Sequence, residues 1–288
     1  MYTTPDEDRS DLLLTGAVFV FGPILITLLL TVLPFHRLPL VGEILTIVQP
    51  IVLTMLVPFL LMRHRRESWA TYRFGGGLGG FGAGVLVALP VVAMSLLWPV
   101  TMGGSPLTGL AVVPQAFTGT WLLGLAERVV IWFGLAVLTV YASTKAREAF
   151  RSEFRTLQDG MMEIGRILAV VVAVVALVRL LLTASTWSVL LPLGMAGAAV
   201  LTYRGARLPS SLSRAALLAP TVLLALGSLF IAFRLDALIN GIWTAAVVAG
   251  AGLVMAVLTE SRRSAWAAVG FALTLALLTD TPVPLRLV

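Results

Sequence analysis

Apolar runs of about 20 residues recur along almost the whole chain, and they constrain its fold more than any other feature. Charged residues make up 12% of the 288 residues, whereas soluble domains carry about 25%. A helix of about 20 apolar residues crosses the roughly 30 Å hydrocarbon core of a bilayer. The sequence therefore predicts an all-α, polytopic transmembrane helical bundle in the cell membrane, with the lipid bilayer as its first partner.

Nine runs are predicted to span the membrane, and they divide the chain into five parts. The predicted spans are 12–33, 44–62, 78–98, 118–142, 167–184, 187–203, 215–233, 237–259 and 265–278. The parts are a polar, disordered N-terminal tail (1–11), spans 1–4 (12–142), a cytoplasmic amphipathic arm (143–166), spans 5–9 (167–280) and a C-terminal tail (281–288). Acidic residues at the start and a 22-residue first run favour a retained helix over a cleaved signal peptide.

The distribution of basic residues predicts the orientation of these spans. With a cytoplasmic N-terminus, the inside segments carry 15 of the 20 lysines and arginines. The outside segments carry three, which are Arg37, Arg234 and Arg286. Short cytoplasmic loops are enriched in basic residues, so the sequence predicts the N-terminus inside and the C-terminus outside. The net charge of +6 is interpreted in the same way, and no nucleic-acid partner is predicted.

Few residue types suited to catalysis or metal binding are present. The chain has no cysteine and only two histidines, His36 and His64. Thiol chemistry is therefore excluded, and multi-histidine metal or haem sites are not expected. No set of nucleophile, base and orienting group is recognisable, nor is a phosphate-binding loop. The sequence predicts no metal and no cofactor.

The candidate functional site is a group of intramembrane charges at Glu127, Arg128 and Arg179. A charge at mid-bilayer costs about 2.5–3.5 kcal/mol on insertion scales, so it persists where it is paired or faces water. Counting from the outer ends of their spans places Glu127 and Arg179 at comparable depths. The group has two interpretations of equal weight. One is a polar site that acts as a proton or ion relay, a substrate contact or a catalytic acid, and the other is an ion pair that fixes helix packing.

Two further patterns have structural interpretations. Glycines at four-residue spacing, which place one face of the third span close to another helix, are Gly76, Gly80 and Gly84. In the arm, an apolar stripe at steps of four and three residues is formed by Phe150, Phe154, Leu157, Met161 and Ile164. Such a stripe is typical of an interfacial helix or, with less weight, of a docking helix for a cytoplasmic partner.

The segment RRESWATYRFGGG (65–77), followed by a glycine-rich span, resembles the segment before the core of the CPBP superfamily of CAAX-type prenyl proteases and bacteriocin-processing enzymes. The resemblance covers residues 42–142. That family carries a Glu-Glu-x-x-x-Arg motif and later histidine motifs. In the matching stretch AERVVIWFG, Glu127 matches the first glutamate, Arg128 replaces the second, and Trp132 replaces the arginine. No histidine follows His64, so the resemblance implies a relative without the catalytic apparatus.

Three functions remain open on these grounds. The first is a non-catalytic integral membrane protein, which acts as a scaffold or as a subunit of a membrane complex, with a membrane-protein partner or as a homo-oligomer. The second is a transporter or permease component with its polar site at Glu127. The third, ranked last, is an intramembrane enzyme. A water-filled cavity that reaches Glu127 favours the second function, whereas a dry bundle with an apolar outer patch favours the first.

Overall fold

The described residues form a bundle made of helices and the turns between them. A computed structural model describes residues 4–33, 39–75, 78–101, 118–150, 195, 212–231 and 238–279. Within these ranges every regular element is a helix and no strand is present. The predicted all-helical fold is therefore confirmed for this part of the chain.

The helices follow seven of the nine predicted spans. They are α1 (Pro5–Val32), α2 (Pro39–Ile51), a π-helical segment (Val52–Leu56), α3 (Val57–His64), a short 3₁₀ turn (Leu78–Gly80), α4 (Phe81–Thr101), α5 (Gly119–Ala149), α6 (Leu212–Ile231), α7 (Leu238–Arg262) and α8 (Ala265–Leu278). The last helix has the predicted bounds. The predicted spans at 167–184 and 187–203 lie outside the described residues, except for Met195.

Within the described ranges, five helical stretches are long and apolar enough to cross a membrane. They are Pro5–Ile26, Ile47–His64, Leu78–Leu96, Trp121–Ala149 and Thr244–Arg262. The helix Ala265–Leu278 is apolar but shorter. These stretches are compatible with an integral membrane protein, as the composition predicts.

The first helix begins earlier than its apolar run. The sequence predicts the start at residue 12, after a disordered tail, but α1 begins at Pro5. Thr4 and Glu7 form a capping box, in which each side chain bonds the backbone of the other residue. Proline suits the first turn, and acidic residues there interact favourably with the helix dipole. Local capping therefore extends the helix through residues that hydropathy assigns to a tail.

The second predicted span is one continuous helical path with a π-helical segment between its two prolines. α2 ends at Ile51, and α3 begins at Val57, with Pro58 in its first turn. Proline donates no backbone hydrogen bond, and its ring crowds the carbonyl four residues earlier. The π-helical segment lies just before Pro58 and contains Thr54, the residue four positions earlier. The hydroxyl of Thr54 in this segment donates to the carbonyl of Pro50 at 2.6 Å.

Helix α5 lies at the centre of the bundle. It packs against α1, α2, the π-helical segment, α6, α7 and α8, and its fully buried side chains include Trp132 and Leu135. The sequence divides this region into a span ending at 142 and a separate arm, but α5 continues without a break to Ala149. Its residues from Ile131 to Ala146 are mostly buried, so its charged end is part of the packed bundle.

Helices α4 and α8 approach each other closely through glycine. A Cβ atom on Gly84 would lie 2.6 Å from the backbone nitrogen of Phe271, and one on Gly80 would lie 2.9 Å from Ser264. Real Cβ atoms do not make contacts this short, so the two backbones could not approach as they do with a side chain at Gly84. Gly76, the third glycine of the predicted face, lies outside the described residues.

Candidate functional site: a buried charge network at one end of the bundle

The most heavily charged part of the described structure surrounds Lys145, the chain's only lysine. Its side chain is 3% exposed. The Nζ atom lies 2.7 Å from Asp8 Oδ1, 2.8 Å from Glu67 Oε1 and 3.2 Å from Asp11 Oδ2. An ammonium group has three N–H donors, so three carboxylates around it match its hydrogen-bonding capacity. We call these four residues the Lys145 network.

The network joins three separate parts of the chain. Asp8 and Asp11 lie on α1, Glu67 follows α3, and Lys145 is near the end of α5. Residues three apart in a helix lie on the same face, so the first turns of α1 direct both aspartates toward α5. The acidic start of the chain is therefore fastened to the central helix by buried ion pairs.

Arg65 connects the network to Glu7 in the first turn of α1. Its Nε and Nη2 atoms donate to the two carboxylate oxygens of Asp11 at 3.3 and 3.1 Å, and Nη1 donates to Glu7 at 2.6 Å. The two bonds to Asp11 form the bidentate pairing for which guanidinium is suited. The hydrogen bond to Asp11 raises the pKa of Arg65 above its usual value, so this cation stays charged.

Two tyrosines close the apolar side of the network. The hydroxyl of Tyr72 donates to Glu67, and its ring stacks on the ring of Tyr141 with a centroid distance of 5.2 Å. Burial, reinforced by the hydrogen bond to Glu67, raises the pKa of Tyr72 well above its usual range. Tyr72 is therefore a neutral donor, which directs its proton at a carboxylate that also bonds Lys145.

A second set of contacts fastens the start of α8 to the same end. Arg73 donates to the carbonyl of Thr259 at 2.8 Å and pairs with Glu260 at 3.1 Å. The other oxygen of Glu260 lies 3.8 Å from Arg147. The backbone nitrogen of Ala265 donates to the carbonyl of Arg73 at 3.2 Å. The turn after α3 is thus held on one side by α1 and α5, and on the other by α7 and α8.

The arrangement around Lys145 favours a structural role over a chemical one. Burying a charge without a partner is costly, and a buried pair is tolerated when its hydrogen bonds are satisfied. The ammonium of Lys145 occupies the position between the carboxylates where a bound cation would otherwise lie. Among the described residues no group of histidine and acidic side chains is arranged to hold a metal ion.

Two of the three charges singled out from the sequence, Glu127 and Arg128, lie elsewhere on α5. Glu127 is 6% exposed. The Nη2 atom of Arg128 donates to the carbonyl of Thr279 at 2.6 Å, at the end of α8. Arg179, the expected partner of Glu127, lies outside the described residues, so their pairing stays a prediction. Arg128 therefore contacts the backbone of Thr279, the residue directly after α8, a contact that the sequence did not predict.

Only the beginning of the predicted amphipathic arm is described. Phe150 caps the end of α5, and the guanidinium of Arg9 lies 5.7 Å from the centre of its ring. Arg9 also donates to the carbonyl of Ala149 at 3.1 Å. The other members of the stripe, which are Phe154, Leu157, Met161 and Ile164, lie outside the described residues. The arm beyond Phe150 stays a prediction.

Sequence reasoning missed the Lys145 network because its members are in segments that are polar throughout. A charge in an apolar run is conspicuous, whereas Asp8 and Lys145 are not. One local signal was available: Asp8 and Asp11 are three residues apart, directly before an apolar run and behind a capping pattern at Thr4 and Glu7. That spacing predicts a helical acidic face, although it does not identify Lys145 as its partner.

An open apolar groove runs along the side of the bundle, beside the charged end. Its volume is about 510 Å³. α2, the π-helical segment and α3 form one wall, α5 forms the floor, and the turn after α3 together with the start of α8 forms the upper end. Its lining residues are Ile51, Met55, Leu56, Phe59, Trp69, Phe74, Phe133, Val137 and Trp266. All nine are hydrophobic, so the groove suits an apolar occupant.

Five basic residues at this end are exposed and, unlike Lys145 and Arg65, have no acidic partner among the described residues. They are Arg63, His64, Arg66, Arg262 and Arg263. Arg66 and Arg263 adopt positive φ angles of 56° and 50°, a conformation uncommon for residues other than glycine. The basic residues at this end thus form two classes, one engaged within the protein and one facing outward.

No protein-family model, no curated protein and no solved structure matches this chain. The fold and the site therefore define only a class, namely a helical bundle with several helices able to cross a membrane and a buried charge network at one end. The resemblance of residues 42–142 to the CPBP superfamily stays a prediction.

Proposed function

We propose that the chain is a polytopic protein of the cell membrane, with nine spans, a cytoplasmic N-terminus and an external C-terminus. The basic asymmetry of the loops supports this orientation. A second support comes from geometry, because the segments that the sequence assigns to the inside should meet at one end of the bundle. Ion pairs do join the described parts of four such segments, through Asp8, Arg65, Lys145 and Glu260.

The absence of native cysteine makes labelling the direct test of this topology. Single cysteines at Ser105 and Thr281 should react with a membrane-impermeant maleimide added outside intact cells, and a cysteine at Ser211 should react only after permeabilisation. Labelling of each variant after permeabilisation is the control for its expression and reactivity. Labelling of the Ser211 variant from outside would contradict the proposed orientation.

For the molecular role, we propose a non-catalytic scaffold or a subunit of a membrane complex. The observation that carries this proposal is the mutual pairing of the charged side chains in the Lys145 network. Catalytic and ion-binding sites keep a group available for substrate. In the network, Lys145, Asp8 and Asp11 are buried, the Glu67 side chain is 9% exposed, and all three carboxylates pair with the ammonium of Lys145. A relative of the CPBP proteases that lacks their catalytic groups would fit this role.

Particle size tests the scaffold proposal. The tagged chain, extracted from its native membranes with a mild detergent, should form particles larger than a monomer of the 30.6 kDa chain in the same detergent. The chain produced alone in a foreign host and extracted identically is the comparison. A stable homo-oligomer would be large in both preparations, and a subunit of a hetero-complex only in the native one. Monomeric particles in both preparations would contradict the proposal.

A transporter component is the second candidate, and the burial of Glu127 within a helix able to cross the membrane favours it. If Glu127 has only a packing role with Arg179, Glu127→Gln should weaken folding, and the double variant Glu127→Gln/Arg179→Gln should recover much of the loss. If Glu127 carries ions or protons, the double variant should fold normally but lose the cation flux that wild-type protein supports in proteoliposomes. Liposomes in which wild type supports no flux would exclude this candidate for the chain acting alone.

A further inference from the structure

The groove and the unpaired basic residues at its upper end have complementary properties. The groove is lined entirely by apolar side chains, and the basic residues are exposed without acidic partners among the described residues. From this juxtaposition we propose that the groove is a binding site for an anionic phospholipid, whose acyl chain lies in the groove while its phosphate is held by Arg63 and Arg66. The proposal concerns a ligand site. It does not depend on the scaffold role, but it rests on the membrane orientation proposed above.

Helix geometry places a cation directly at the end of the groove. Met55, Phe59 and Arg63 follow one another at four-residue spacing, which puts them along one face of the helical path. Met55 and Phe59 line the groove, and Arg63 lies one turn beyond, in the last turn of α3. A phosphate at Arg63 would therefore lie over the open end of an apolar channel, as a lipid headgroup lies over its acyl chain.

The length of the groove matches one leaflet. From Ile51 to Phe59 the wall advances eight residues, or about 12 Å along a helix. Half of a roughly 30 Å hydrocarbon core is about 15 Å. A transmembrane helix from a partner would need a longer apolar surface that continues toward the other end of the bundle. An acyl chain that enters from one side needs only this depth.

The residues around the upper end are those that occur at a membrane interface. Trp69 is 47% exposed there, and tryptophan is enriched at the level of the headgroups. The indole N–H of Trp266 donates to the carbonyl of Phe74 at 3.3 Å. This hydrogen bond fixes the ring as part of the groove wall and occupies its one donor. Arginine binds phosphate through several N–H groups at once. With the orientation proposed above, this end faces the cytoplasmic leaflet, which is the anionic one.

Lipid selectivity of the delipidated chain tests the proposal. Purified protein in a neutral detergent is titrated with phosphatidylglycerol or phosphatidylcholine of identical acyl chains, and bound lipid is counted by native mass spectrometry. We expect one phosphatidylglycerol to bind in preference to phosphatidylcholine, and sn-glycerol 3-phosphate, which lacks acyl chains, not to compete. Equal binding of the two lipids, or competition by glycerol phosphate, would overturn the proposal.

Variants then locate the site. Arg63→Gln/Arg66→Gln should weaken phosphatidylglycerol binding about thirtyfold, given roughly 1 kcal/mol for each arginine near a lipid surface. Arg234→Gln/Arg286→Gln, which removes the same net charge from segments assigned to the other side, should leave binding unchanged. Leu56→Trp, which fills the groove, should abolish binding, whereas Leu86→Trp at an equally apolar, exposed position on α4 should not.

The arginine variants change exposed side chains, so the test does not depend on tolerance of the core. Unchanged affinity in folded Arg63→Gln/Arg66→Gln protein would overturn the assignment. A second result would also overturn it: a polypeptide that co-purifies with wild type but not with the Leu56→Trp variant. In that case a partner helix would occupy the groove. An equal effect of the Arg234→Gln/Arg286→Gln control would reduce the interaction to net charge and would also overturn it.

Discussion

Helix α5 carries two buried charged sites, and they differ in how the chain satisfies them. Lys145 and Glu127 are eighteen residues apart, or about 27 Å along a helix, which approaches the thickness of a bilayer core. Lys145 is surrounded by three carboxylates from two other segments. Glu127 lies inside a long apolar stretch, next to Arg128, which bonds the end of α8.

The comparison shows that a buried network of long-range ion pairs need not be conspicuous in a sequence. Hydropathy identifies Glu127 because its surroundings in the sequence are apolar. It passes over Lys145 because the residues around it are polar and its partners are more than 70 positions away. The Lys145 network joins α1, α5 and the turn after α3 at one end of the bundle, and the role of Glu127 is still to be tested.

Removal of the Lys145 cation should have the largest effect and would sharpen this contrast. Lys145→Met leaves Asp8, Asp11 and Glu67 buried around an apolar side chain, and breaking such a network costs about 3–5 kcal/mol. Chemical unfolding in detergent micelles, followed by tryptophan fluorescence, measures the change. Arg147→Met, two residues later but about one-third exposed, serves as the control and should cost less than about 1 kcal/mol. Equal losses in the two variants would contradict a special role for Lys145.

A smaller loss of stability is expected at the contact between α4 and α8, which involves no charged residue. Gly84→Ala should destabilise the bundle by about 1–3 kcal/mol, because the added Cβ would collide with the backbone of Ala267 and Phe271 on α8. Gly82→Ala, two residues away on the same helix, meets nothing within 4 Å and should be neutral or stabilising by up to about 1 kcal/mol. The same unfolding assay measures both, and a similar loss in the two variants would argue against close packing of α4 on α8.

The smallest effect concerns the decrease in the free energy of unfolding at alkaline pH. The pKa of Tyr72 is raised in the folded state by burial, so its contribution is fully present below the unfolded value of about 10 and is lost as pH rises above it. Wild type should therefore lose about 1.4 kcal/mol per pH unit above 10 relative to Tyr72→Phe, which cannot ionise. Melting temperatures of both proteins from pH 8 to 11 measure the gap, and a constant gap would contradict a buried neutral Tyr72.

Much of the helical framework could be predicted from the sequence, because apolar length alone determines which segments become long helices. The bounds of α8 match the prediction, and the other described helices differ from it at their ends. Those differences have local causes, such as the capping box at Thr4 and the continuation of α5 through the polar residues Ser143 to Lys145, which tertiary contacts bury. A hydropathy average along the sequence detects neither helix capping nor burial by tertiary contacts.

The candidate site was harder to predict, since its members are joined by long-range contacts. Asp8 contacts Lys145 across 137 positions, and Glu67 does so across 78. The groove has the same origin, because Trp69 and Trp266 come together only when the turn after α3 meets the start of α8. A single sequence indicates that such residues are polar or aromatic, but not which of them meet.

A double-mutant cycle on Asp8 and Lys145 tests most directly whether the acidic start of the chain is part of the folded bundle. The stabilities of Asp8→Asn, Lys145→Met and the double variant are compared with that of wild type. We expect a coupling energy of at least about 1.5 kcal/mol, within the range for contacting charged residues. The parallel cycle with Asp6→Asn, whose side chain is 91% exposed, should be additive within about 0.5 kcal/mol. Additivity in the Asp8 cycle would contradict the ion pair between Asp8 and Lys145. It would instead support the sequence-based prediction that residues 1–11 are a disordered tail.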